Sequence, residues 1–116
     1  MNKISIDLTY LNEIVGGDSE MMNEMLDLFI SEFPINVAAI RKAYENKDWR
    51  GLGAEAHKIK PTLLYIGLAS LNTIALKLEG IGKTQKGTEN AASLFSELED
   101  GIKQAIPQLI EKKKEI

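Results

Sequence analysis

Apolar side chains return at steps of three and four along nearly the whole chain, and no stretch alternates apolar and polar residues as a strand would. Leu8, Leu11, Ile14 and Val15 predict a short first helix, capped by Asp7, stopped by Gly16-Gly17 and placed as a lid on the end of a bundle. Asp18 or Ser19 can cap a second helix, with Glu20 in its first turn and a core face of Met22, Met25 or Leu26, Phe29, Phe33, Val37, Ile40 and Tyr44. That face keeps its phase across Pro34, which favours a kink near Ile30 over a break. Asp48 ends the next turn and can cap a third helix, whose stripe is Trp49, Leu52, Ala56, Ile59, Leu63 and Ile66 and whose stop is Gly67. Leu68, Leu71, Ile74 or Ala75, Leu78 and Ile81 predict a fourth helix that closes around Gly80-Ile81-Gly82, followed by a polar loop from Lys83 to Gly87. Thr88 can cap the last helix, with Ala91, Phe95, Leu98, Ile102, Ala105 and Leu109 on one face and Pro107 bending its end. Four long amphipathic helices with short connections predict an all-α fold, an antiparallel four-helix bundle with a short additional N-terminal helix outside it.

Composition narrows what such a bundle can do. A length of 116 residues allows one domain, residues 1–116, and Met1 with the polar C-terminus leans toward a free-standing protein. The chain has no cysteine, no basic-then-apolar leader and no long apolar run, so a cytoplasmic protein without a membrane span is expected. A formal net charge of -3 disfavours nucleic acid as a partner, since a phosphate backbone demands a basic face. The one basic cluster, Lys112-Lys113-Lys114, falls at a helix C-terminus, where cations are favoured anyway.

One residue stands apart from this framework. His57 is the single histidine, and at about 100° per residue it lies roughly 130° from the mean direction of its helix's apolar stripe, facing water. Gly53, Pro61 and Leu64 flank it on that outer side, and Lys60 follows one turn later between His57 and the core edge. An exposed imidazole with small or ring-closed neighbours is open to attack by something large. Other chemistries find no residues. Gly80-Ile81-Gly82-Lys83-Thr84 looks like the end of a phosphate-binding loop, but Lys77 stands five before Gly82 and a helix precedes the segment where that motif needs a strand. A single histidine without cysteine gives no metal-ligand spacing and no spare base for a serine or cysteine nucleophile, so no metal or cofactor is expected.

The stretch Ala56-His57-Lys58-Ile59-Lys60-Pro61, with Gly67 ten positions after His57, resembles the motif of the histidine-containing phosphotransfer (HPt) domains of bacterial two-component phosphorelays. Gly16-Gly17-Asp18, Leu28-Phe29, the Asp48 turn and Leu78-Glu79 extend the resemblance over nearly the whole chain. Pro61 departs from the family's usual glycine, and its missing N–H predicts a local distortion or water contact at the carbonyl of His57.

The resemblance implies a monomeric phosphorelay intermediate. His57 takes a phosphoryl group from a receiver-domain aspartate, through the ring nitrogen remote from the main chain, and passes it to another receiver. Lys60 neutralises part of the phosphoryl charge, and Lys58, about 100° away around the helix, helps electrostatically at most. Gly53, Lys58, Pro61 and Leu64 would meet the partner. Partners are response-regulator receiver domains, including that of a hybrid sensor kinase, and the Mg²⁺ belongs to the receiver. The chain is then a carrier without an ATP site of its own. The competing expectation is a four-helix adaptor that docks receiver or kinase domains without being phosphorylated.

Overall fold

The computed structural model describes residues 3–116; Met1 and Asn2, part of the expected domain, lie outside the described residues. The elements are α1 (Thr9–Ile14), α2 (Ser19–Glu45), α3 (Trp49–Tyr65), α4 (Ala69–Thr84), a 3-10 turn (Thr88–Asn90) and α5 (Ala91–Lys114). Among the described residues there is no strand. The four long helices pack as a bundle, α2 on α3, α3 on α4, α4 on α5 and α5 on α2, and measure 43 × 25 × 20 Å overall.

The core follows the helical stripes. Leu26, Phe33, Ile40, Leu52, Leu63, Leu78, Leu98 and Leu109 are fully buried, and at the two ambiguous positions Leu26 and Ala75 turn inward while Met25 and Ile74 are only half-buried. Val37 and Tyr44, placed in the core by periodicity, are half-buried at its margin. Two expected caps are present: Asp18 Oδ1 accepts from Met21 N at 3.0 Å and Asp48 Oδ1 from Gly51 N at 3.0 Å, each satisfying an orphan donor of a first turn. Pro34, Pro61 and Pro107 all lie inside helices that continue past them.

The N-terminal segment is strapped across the bundle rather than loosely apposed. Gln108 accepts from Ile6 N and donates to Ile4 O at 2.7 Å, and Asp7 N donates to Ile66 O at 2.9 Å. Gly67, at φ +76°, ends α3 where a Cβ would lie 2.8 Å from Asp7 O, so both backbone sign and space require glycine. The lysine cluster at the end of α5 is engaged in ion pairs, Lys113 reaching Asp27 of α2 at 2.8 Å.

Three local expectations are corrected. Asp7 accepts from Thr9 N and Oγ1 one residue before the cap position, which Leu8 occupies, and Ile14 is exposed. Thr88 opens the 3-10 turn, and α5 begins only at Ala91 without a side-chain cap. Gly80 and Gly82 do not close α4, which runs on to Thr84 and ends at Gln85 in the left-handed region (φ 56°). The physical reason lies in packing: Gly82 is buried against Gly53 of α3, a contact that periodicity along one helix does not register.

Candidate functional site

Because Asp48 fixes where α3 begins, the helical phase of every later residue follows. Ala56 and Ile59 turn into the core, and His57 between them turns out, its side chain 66% exposed. α4 runs antiparallel beside this face. Its residue opposite His57 is Glu79, which sits on the inward side with Ala75, Leu78 and Gly82 and is, among the described residues, the one buried charged residue, its side chain 7% exposed.

A carboxylate taken out of water requires partners. Glu79 Oε1 accepts from Lys60 Nζ at 2.6 Å, Glu79 Oε2 lies 2.5 Å from His57 Nδ1, and Lys83, one turn along α4, brings Nζ to 3.8 Å. The Lys60 hydrogen bond holds the Glu79 carboxyl below the ordinary glutamate range against the opposing effect of burial, with further help from His57 and the charges of Lys60 and Lys83. An ionised carboxylate only accepts, so the short contact assigns the proton to His57 Nδ1. In the neutral imidazole that leaves the lone pair on Nε2, the ring nitrogen remote from the main chain.

Two shallow clefts meet at His57. One is rimmed by Arg50, Lys58 and Lys83 with Gly53 and Gly82 at its floor. The other is apolar, with Tyr10, Pro61, Leu64 and Leu76 exposed beside Lys60. At Pro61 the helix continues without the N–H that would serve the carbonyl of His57, and Asn72 Nδ2 of α4 donates to the neighbouring carbonyl of Lys60 at 3.0 Å.

The structure thus brings His57 together with Lys60, Lys58, Pro61 and Leu64 on one surface, Lys58 pairing with Glu55 at 3.2 Å. Lys60 differs from expectation in pointing at Glu79, with its side chain only 21% exposed. Gly53 differs too: it is buried in the α3/α4 contact instead of lying open beside the imidazole. Gly67 stays away from the imidazole, at the α3 terminus against Asp7. The partner to His57 that sequence reasoning left without a role is Glu79. Its signal was present, an acid at helical spacing with Ala75, Leu78 and Gly82 on an inward stripe, where only a paired carboxylate is tolerated.

Among the described residues no group of three or more metal-ligating side chains could hold an ion, and no helix is long and apolar enough to cross a membrane. No curated protein and no solved structure matches the chain significantly. The Hpt domain family model matches residues 24–111, from the second turn of α2 into the last turn of α5 and across the whole His57 site. With a helical bundle, an exposed imidazole on it and most of its length matched, the chain belongs to the Hpt domain family, whose members carry phosphoryl groups on histidine in phosphorelays and interact with receiver domains.

Proposed function

We propose that this chain accepts a phosphoryl group from the aspartate of one receiver domain on His57 Nε2 and hands it to the aspartate of another. The observation that carries the reading is the exposed imidazole whose Nδ1 is held at 2.5 Å by a buried carboxylate. Attack by the Nε2 lone pair forms the N–P bond as the P–O bond to the receiver aspartate breaks, leaving that carboxylate free. The imidazole becomes positively charged in this step, and Glu79 lies against the Nδ1–H that shares the charge. The phosphoimidazolium keeps a good leaving group, so the transfer runs in both directions.

Lys60 contributes by fixing Glu79 and by placing a cation within a turn of the phosphoryl group. Lys58 at the rim and Pro61 and Leu64 beside the ring form the surface on which the receiver seats, and Gly53, buried at the cleft floor, lets α4 approach beneath it. The receiver supplies the Mg²⁺ and the aspartate, and this chain supplies nucleophile and orientation. The carrier works as a monomer in the cytoplasm, where a cysteine-free chain meets receiver domains, including that of a hybrid sensor kinase.

The test is transfer from a radiolabelled receiver domain encoded in the same genome to the wild-type chain and to His57→Gln. Label on the wild type alone, lost in acid and kept in base, is the expected result. A folded wild type that binds receivers and takes no label from any of them overturns the carrier reading in favour of a docking adaptor.

A further inference from the structure

Gly53 and Gly82 bring the backbones of α3 and α4 into close approach at their crossing. A Cβ built on Gly82 would lie 2.5 Å from Gly53 Cα and 2.7 Å from Trp49 O; one built on Gly53 would lie 2.8 Å from Gly82 Cα and 3.1 Å from Glu79 O. These obstacles are backbone atoms and cannot rotate away. Glycine is the least favourable residue for a helix interior after proline, and both positions lie inside helices, so the contact itself accounts for the absent side chains. Gly80, on the same helix, meets nothing within 4 Å. In the antiparallel pairing the glycine contact sits one turn from His57 and Glu79, four residues along α3 and three along α4.

We propose that Gly53 and Gly82 are positioning residues for the phosphoacceptor, their contact setting the helix separation at which the Glu79 carboxylate reaches Nδ1 and keeps the lone pair on Nε2. Glu79 reaches across from α4 to two partners on α3, His57 Nδ1 at 2.5 Å and Lys60 Nζ at 2.6 Å, so both contacts depend on the separation of the two helices. Helices forced apart by about 1 Å carry the carboxylate beyond the ordinary hydrogen-bond range of Nδ1. The inference builds on the carrier reading only for its kinetic consequence. The imidazole tautomer is a property of the unphosphorylated protein.

The experiment records long-range ¹H–¹⁵N correlations of the His57 ring and the labelling rate for wild type, Gly53→Ala and Gly82→Ala, in sucrose to favour the folded state. Gly80→Ala and Gly101→Ala are controls, the latter placing a methyl 2.6 Å from Leu71 in the α4/α5 contact. Wild type and controls should show the Nδ1–H form. The two α3/α4 variants should show the tautomer mixture of an unrestrained imidazole and label about as slowly as Glu79→Gln, with no further loss when combined with it. Glu79→Asp, which shortens the carboxylate without touching the crossing, should also lose the tautomer preference and decides the matter if neither glycine variant folds. A folded Gly53→Ala or Gly82→Ala with the wild-type tautomer, or Glu79→Asp with it unchanged, overturns the proposal. If the wild type takes no label, the carrier reading fails while the tautomer comparison still stands.

Discussion

Where α3 meets α4 the backbones touch through Gly53 and Gly82 and enclose a carboxylate, whereas α2 meets α5 across aromatic rings with its ion pairs outside. On the α2/α5 side Tyr44 stacks on Phe95 at 6.2 Å, the Arg41 guanidinium lies 5.1 Å above the same ring, and Arg41 pairs with Glu99 at the surface. Large side chains there set the helix spacing, and the charges decorate a contact that apolar burial already makes. On the α3/α4 side the order is reversed. The missing side chains bring the helices close, and the charged groups lie where the spacing decides whether they can meet. One contact tolerates small changes; the other converts them into a change at His57.

The largest effect is expected at the imidazole. His57→Gln should abolish labelling while leaving the thermal midpoint within a few degrees of wild type, since the side chain is exposed. On the other side of the bundle, Phe33→Ala should cost about 3–5 kcal/mol in denaturant unfolding, the range for a buried aromatic, with an unaltered His57 tautomer in the fraction that folds. Glu79→Gln should slow phosphoryl transfer by about 10- to 100-fold, the cost of losing the carboxylate behind a metal-bound histidine, with receiver binding retained.

The same carboxylate gives a pH signature. Its titration lies lower in the folded chain than in the unfolded one, so its stabilising effect is full above the ordinary glutamate range and is lost as the pH falls through the lowered value. The stability gap between wild type and Glu79→Gln, measured by urea unfolding, should therefore narrow on acidification below that range. A gap that widens in acid would contradict the Lys60–Glu79 pairing. The smallest effect belongs to the outer pair: Glu99→Gln should change stability by about 1 kcal/mol or less and leave transfer untouched.

The helices of this bundle were legible because each writes its own period. The stripes of the third and last helices predicted their buried residues, Trp49 at the start of the third excepted because it is only half-buried, and Asp18 and Asp48 announced their helix starts by side-chain chemistry that acts within three residues. What stayed hidden depends on a second helix. Glycines near a helix end read as a stop, yet Gly82 is there because another backbone needs the space of its Cβ. Lys60 reads as a surface cation near His57, and only the position of α4 turns it toward Glu79. Glu79 itself interrupts an apolar stripe, and its meaning follows once the residue across the contact is known to be His57.

The carrier role predicts that Glu79 holds Nδ1 so that Nε2 takes the phosphoryl group. Its most direct test is NMR of the ¹⁵N-labelled protein phosphorylated by a receiver domain, correlating ³¹P with the two ring nitrogens of His57. Phosphorus coupled to Nε2, with a protonated Nδ1 that loses its protection from exchange in Glu79→Gln, is the predicted result. Phosphorus on Nδ1, or on any residue other than His57, would contradict the account.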